Sequence, residues 1–197
     1  KLPYNLPMGR PLPQAYDIDQ DLLQEVVMSR FDESLSLGPI VFYEFNGTSF
    51  QAVDSIEEAP ILIPKDLADA DKDGLMELLV SVNDSNYIYE QSESTGFPNQ
   101  IIYRNEDQER FSARFADTDS DGDLELLMKD FQDYYVYEPM GNGYQEGAKL
   151  EDVSGNYFGS IAPRILVEDF DGDNQTELIY GDFDGDVIVY ENNGPGN

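Results

Sequence analysis

The stretch Asp69-Ala70-Asp71-Lys72-Asp73-Gly74-Leu75-Met76-Glu77 places carboxylates at positions 1, 3, 5 and 9 of a short loop and a glycine at position 6. Glycine lets the backbone turn sharply, because no Cβ stands in the way. Alternate residues of a tight turn can all point at one centre, and a ring of carboxylates suits a hard cation. Calcium takes about six to eight oxygen ligands at roughly 2.3–2.6 Å. Asp69, Asp71, Asp73 and Glu77 are therefore candidate side-chain ligands, with the carbonyl of Leu75 at position 7 as the candidate backbone ligand.

The spacing recurs three times. Asp117, Asp119, Asp121, Gly122 and Glu125 match every position, with Asp123 at position 7. Asp169, Asp171, Asp173 and Glu177 match the acids, with Gln175 at position 7, but the glycine has moved to position 4 (Gly172) and Asn174 sits at 6. Asp17, Asp19, Asp21 and Glu25 match the acids again, with Leu23 at position 7 and Leu22 where glycine is expected. This first loop is the least regular, so losing Asp19 should release less bound cation than losing Asp71 or Asp119. An EF-hand begins in the same way but carries its bidentate Glu at position 12 between two helices. Here the acid at 9 runs directly into Leu78-Leu79-Val80, which reads as a strand. Asp182-Phe183-Asp184-Gly185-Asp186 reads as a hairpin turn, because position 9 would be Tyr190.

The first aspartates fall at 17, 69, 117 and 169, offsets of 52, 48 and 52 residues, which is the period of a four-stranded propeller blade. The elements that must position the loops follow the same order in each unit: strand, metal loop, strand, hairpin, strand, turn, strand. Leu12 to Tyr16, Pro60 to Pro64, Phe111 to Phe115 and Pro163 to Val167 lead into the loops, and each loop glutamate opens the next strand. The third strands are Ile40 to Glu44, Tyr87 to Glu90, Tyr134 to Glu138 and Val187 to Glu191, and Asn46-Gly47 signals a hairpin. The closing strands are Ser49 to Val53, Gln100 to Tyr103 and Tyr144 to Leu150, with none after Glu191. The chain thus reads as one all-β domain over 1–197, with repeats at about 12–56, 57–105, 106–152 and 153–197 and a Pro-rich arm over 1–11. It forms either a β-propeller of four blades, each a four-stranded antiparallel sheet, or part of a larger propeller. In the closed form, Tyr4 to Met8 would complete the last blade beside Val187 to Glu191 and remove two open edges.

With 41 acidic against 11 basic residues the formal charge is −30, which repels nucleic acid and anionic membrane surfaces. Four calcium ions would bring this to −22. Disordered acidic chains are poor in aromatics, whereas 13 Tyr and 11 Phe are available here for a core. The absence of Cys and His excludes thiol chemistry, thiolate metal sites and the commonest general base. No apolar run approaches the roughly 18 residues of a membrane span, and Lys1-Leu2-Pro3-Tyr4 does not read as a signal peptide, so a mature or excised form is expected. Weak calcium sites fill only at near-millimolar calcium, which places the chain outside the cytosol: extracellular, at the cell surface or in the periplasm. Sequons at Asn46, Asn83 and Asn174 carry little weight, since Asn174 lies inside a metal loop.

With four D-x-D-x-D-G-x-x-E-like loops and the apolar strands that follow them, the chain resembles FG-GAP/VCBS repeats, the blades of integrin-type β-propellers, from about Leu12 to Asn193. Phe158-Gly159 stands where that family has Phe-Gly, and Gly181 stands near its Gly-Ala-Pro, which is otherwise replaced. The degenerate VCBS form is the nearer match. The resemblance implies a calcium-bearing propeller, secreted or on the cell surface, used for adhesion, for recognition of protein or carbohydrate, or attached to extracellular enzymes.

Two functions compete. One is a non-catalytic module for structural support, adhesion or ligand recognition, with protein, carbohydrate or a partner chain at an open sheet edge as ligand. The other is the propeller domain of a polysaccharide-active lyase or hydrolase. A glycosidase needs two uncommitted carboxylates about 5–10 Å apart. Most clustered acids here belong to the loops, and the basic residues show no clustering that would serve a lyase, so the binding module is preferred. Tyr43, Tyr89, Tyr137 and Tyr190, each followed by Glu, could stack on sugars, but residues recurring once per repeat in the same strand are expected to pack between sheets.

Overall fold

A computed structural model describes residues 9–31, 37–57, 62–82, 85–105, 112–130, 133–141, 143–151, 165–181 and 186–192. Among them there are fifteen strands and no helix, and hence no helix long and apolar enough to cross a membrane. The strands form four antiparallel sheets. The first has the order β1 (Gly9–Tyr16), β2 (Glu25–Phe31), β3 (Leu37–Phe45), β4 (Phe50–Ile56). The second runs β5 (Leu62–Ala68), β6 (Glu77–Val82), β7 (Ser85–Gln91), β8 (Pro98–Asn105). The third comprises β9 (Ser112–Ala116), β10 (Glu125–Lys129), β11 (Tyr134–Met140) and β12 (Gly143–Leu150), and the fourth β13 (Leu166–Glu168), β14 (Glu177–Gly181) and β15 (Val187–Glu191). In each sheet the acid loop joins the first strand to the second.

The chain clusters into two compact units, Lys1–Asp69 with Asp73–Asn105 and Ala70–Lys72 with Glu106–Asn197. In the first, Leu12, Ile18, Val27, Phe42, Leu78 and Tyr89 belong to one buried cluster. The Ser29 hydroxyl donates to the Leu62 carbonyl and so ties β2 to β5. In the second, Leu127, Val136, Leu178, Tyr180 and Ile188 share a cluster, and Arg114 donates to the Ile165 carbonyl at 2.8 Å. The second strands are covered on both faces: Leu78, Leu79 and Val80 are all fully buried. That is why the sequence shows continuous apolar runs there in place of alternation.

The first strand begins earlier than the sequence implies. Gly9, Arg10 and Pro11 pair with Arg30, Ser29 and Met28, so part of the Pro-rich arm is strand. Pro cannot donate to a ladder, but β1 is an outer strand and its register breaks between Pro11 and Ala15. β2 runs on to Phe31, and β3 starts at Leu37, earlier than the Ile40 that the sequence suggests. Likewise β5 extends past Pro64 through a bulge to Ala68. Asn46-Gly47 is a hairpin turn in which Asn46 Oδ1 accepts from the Thr48 and Ser49 amides at 3.0 Å and Gly47 takes φ 90°. β14 and β15 pair up to Gly181↔Val187, so the stretch between them joins neighbouring strands, although Asp182 to Gly185 lie outside the described residues. Tyr4 to Met8, Asn83 and Phe158-Gly159 lie outside them too.

A shared irregularity marks the first three sheets. The register shifts between Phe42 and Tyr43, between Ile88 and Tyr89, and between Val136 and Tyr137, because the fourth strand carries an extra residue opposite each step. Such bulges re-aim the local side chains. Tyr43, Tyr89 and Tyr137 are buried, leaving no open ring face for a sugar. Tyr190, half-buried, stacks on Tyr180 at 6.4 Å between ring centroids and donates to the Glu151 carbonyl.

Candidate metal sites

Each loop ends on a glutamate that opens the second strand and is buried: Glu25, Glu77, Glu125 and Glu177 are at most 6% exposed. Its Oε2 accepts the amide of loop position 2 in three loops: Ile18 to Glu25 at 2.8 Å, Thr118 to Glu125 at 2.5 Å and Phe170 to Glu177 at 2.7 Å. The amide at position 6 donates back to the first aspartate from Leu22 to Asp17, Gly74 to Asp69 and Asn174 to Asp169. At position 7, Leu23, Leu75, Asp123 and Gln175 each donate their amide to Oδ1 of the position-5 aspartate, Asp21, Asp73, Asp121 and Asp173, at 2.8 Å in all four loops. Asp19, Asp119 and Asp171 at position 3 accept from position 5. Backbone amides thus hold these carboxylates in the loop; at Asp17 and Asp169 they reach both oxygens, and Asp173 Oδ2 also accepts from Gln175 Nε2 at 2.6 Å. Asp123 makes an exposed ion pair with Lys72 at 2.9 Å, which leaves its carbonyl, not its carboxylate, as the candidate ligand.

The acids converge. One oxygen each from Asp169, Asp171, Asp173 and Glu177 lie within 4.8 Å of one another, as do those of Asp17, Asp19 and Glu25 and those of Asp69, Asp71 and Glu77. Ligands on opposite sides of a calcium ion are separated by about 4.6–5.2 Å. Each loop also keeps a buried carboxylate oxygen that no hydrogen-bond donor reaches: Glu25 Oε1, Asp69 Oδ1, Asp117 Oδ1 and Glu177 Oε1. A buried charged oxygen without a partner is costly, and a cation at the centre of the acids would supply one. The residues present therefore fit a hard divalent ion. Burial pushes the Glu25 and Glu125 carboxyls up to about 7, against the ordinary 4.5, despite the amides of Ile18 and Thr118 pulling the other way. The neighbouring aspartates add to the rise at Glu25, and Glu138 and Asp119 add to it at Glu125. Asp119 is raised by burial and then by Asp121 and Asp117.

Two features were not visible from the loop residues alone. Position 4 is left-handed as well as position 6: Gln20, Lys72, Ser120 and Gly172 take φ of 63°, 62°, 61° and 81°. The glycine of the fourth loop has therefore not replaced the one at position 6; it occupies a second left-handed position, and Asn174 takes φ 71° at the first. Leu22 also adopts φ 76°, so the first loop closes like the others, under strain. The other feature lies across the hairpin, where Glu44 and Glu90 join acid groups with Asp21 and Glu25 and with Asp71 and Asp73. The sequence signal was the Tyr-Glu pair ending each third strand.

Leu22→Gly should stabilise the protein. A left-handed non-glycine residue costs about 1–2 kcal/mol, and glycine returns about 0.5–1 kcal/mol of that through the unfolded chain. Leu22 is 88% exposed, so little packing is lost. The expected gain is about 0.5–1 kcal/mol, read as a higher urea midpoint of the calcium-loaded chain; an equal or lower midpoint would contradict it.

In comparisons with known proteins, the FG-GAP-like repeat profile matches residues 69–128, the span that holds the second and third loops. No curated protein matches the sequence. Among solved structures, the V. cholerae biofilm matrix protein Bap1 shares the fold with TM-score 0.53 at 17% identity, over 95% of this chain. The chain spans 31% of the length of that protein.

Proposed function

We propose that this chain is a calcium-binding repeat module of a β-propeller, acting outside the cytosol as a structural and adhesive part of a larger protein and not as a catalyst. The observation that carries the reading is the donor-less buried carboxylate oxygen present in every one of the four acid loops. A cation would neutralise each cluster and fix the loop that joins the first two strands of its sheet. The FG-GAP-like repeat match and the fold shared with a biofilm matrix protein support an adhesive, extracellular setting. In the second unit a cavity of about 340 Å³ is lined by Val136, Glu138, Lys149, Leu178 and Tyr190, among others. It is of the size and character of a small-ligand site for a sugar or a peptide side chain. Glu138 and Glu191, the carboxylates there, stand beside the acid loops and are poorly placed as an independent acid–base pair.

Calorimetric titration of the metal-free chain tests the reading. About four calcium ions should bind, and Asp71→Ala and Asp119→Ala should each lose one. No uptake at millimolar calcium, or full uptake by both variants, would overturn it.

A further inference from the structure

A glutamate at or near the end of each third strand stands directly across from the glutamate that ends the acid loop. The register pairs Glu25 with Glu44, Glu77 with Glu90 and Glu177 with Glu191, and the pairing of Leu126 with Tyr137 brings Glu138 to Glu125 in the same relation. Residues opposite each other in an antiparallel pair hold their Cβ atoms about 4.5–5.5 Å apart, and like charges there repel. The offsets from loop glutamate to hairpin glutamate are 19, 13, 13 and 14 residues, so hairpins of different length arrive at the same juxtaposition. A repulsive pair kept through such changes calls for a compensating positive charge.

Other features point the same way. Oxygens of Asp21, Glu25 and Glu44 lie within 4.8 Å of one another, and so do those of Asp71, Asp73 and Glu90. Glu25 is fully buried, and its Oε1 has no donor, so the first of these groups contains a buried carboxylate oxygen without a hydrogen-bond partner. In the third sheet the Glu138 side chain lies against Gly147, the extra residue of the bulge, where a Cβ would come within 2.8 Å of Glu138 Cγ. The missing Cβ at Gly147 therefore leaves room for that side chain, whose carboxyl feels the charges of the loop residues Asp119 and Asp121.

We propose that Glu44, Glu90, Glu138 and Glu191 each supply an additional, cross-strand carboxylate to the cation of the loop they face. The proposal rests on the calcium reading above. It makes the ion a staple for three strands of a sheet: the two that flank the loop, and the third, which carries the extra glutamate.

Glu44→Gln and Glu138→Gln, compared with Asp19→Ala and the unaltered chain, test this by calcium calorimetry and by melting in chelator. Each glutamine variant should keep the full number of calcium ions but bind one of them about tenfold more weakly, since a neighbouring unit charge is removed. In chelator the same variants should melt higher than the parent, because one charge of a repulsive pair is gone. An unchanged affinity, or a lower melting temperature in chelator, would overturn the cross-strand role. If Asp19→Ala loses one calcium while both glutamine variants match the parent, only this inference fails; if Asp19→Ala also binds like the parent, the calcium reading of that loop fails with it.

Discussion

Thorough chelation of calcium should lower the melting temperature by more than about 10 °C. A site held at 100 times its dissociation constant adds about 2.7 kcal/mol, so four independent sites add on the order of 11 kcal/mol. That is comparable with the whole stability of a typical domain, about 5–15 kcal/mol. The loops show why so much would rest on the ion. Their backbone amides hold the carboxylates in place whether or not a cation is present, so a metal-free loop keeps its repulsion and its donor-less buried oxygens. Magnesium should restore little, because it demands near-ideal octahedral geometry at about 2.0–2.1 Å and gives up its water reluctantly. Coincident melting curves in EGTA and in millimolar calcium would refute this.

The metal-free chain should also respond to pH in the direction opposite to most acidic proteins. Folding raises the Glu25 and Glu125 carboxyls from the ordinary 4.5 to about 7, so between these values the folded form holds more protons than the unfolded one. Stability contributed by these groups is fully present below pH about 4.5 and is lost as pH rises through about 7. Calcium needs the ionised forms, so its stabilising effect should grow over the same window. Melting at pH 5 and pH 7.5, with and without calcium, reads both signs; a metal-free chain that is more stable at the higher pH would refute the assignment.

The acid loops were legible because their carboxylates recur at the fixed positions 1, 3, 5 and 9, and that spacing is read directly from the letters. The backbone that holds them was only half legible. Gly74 and Gly122 signal a left-handed residue at position 6, but Gln20, Lys72 and Ser120 adopt the same conformation at position 4, and no side-chain type announces it. Leu22 shows that even at position 6 the cluster of amide-to-carboxylate bonds can impose a conformation that its residue disfavours. The prolines of residues 1–11 were read as marking an arm outside the first repeat. At an outer strand with a register break they are tolerated, and which strands lie outermost is settled by the sheet and not by the local sequence. The cross-strand glutamates were visible as letters yet not as neighbours of the loops, since their placement depends on hairpin register. Least legible was the residue after them.

Gln91 follows Glu90 and is fully buried. Its Oε1 accepts the Met76 amide at 2.5 Å, and its Nε2 donates to the carbonyls of Ile18 at 2.8 Å and Gly96 at 2.7 Å. Met76 is position 8 of the second loop and Ile18 is position 2 of the first, so one amide side chain holds both. Asn192 does the same in the second unit, where its Nδ2 donates to the Thr118 carbonyl at 3.0 Å and its own amide donates to the Thr176 carbonyl at 2.9 Å. The corresponding residues after Glu44 and Glu138 are Phe45 and Pro139, which carry no side-chain amide, so this clamp joins the first loop to the second and the third to the fourth. Gln91→Leu keeps roughly the same volume but leaves a buried donor and two carbonyls without their partner. Each unsatisfied buried group costs about 1–3 kcal/mol, so a total loss of about 3–5 kcal/mol is expected after relaxation. Because Ile18 also donates its amide to Glu25, the disturbance should reach the first loop as well as the second, and calorimetry should show two weakened calcium sites where Asp71→Ala weakens one. A Gln91→Leu chain within about 1 kcal/mol of the parent in urea, or with only one altered site, would show that the two loops are held independently.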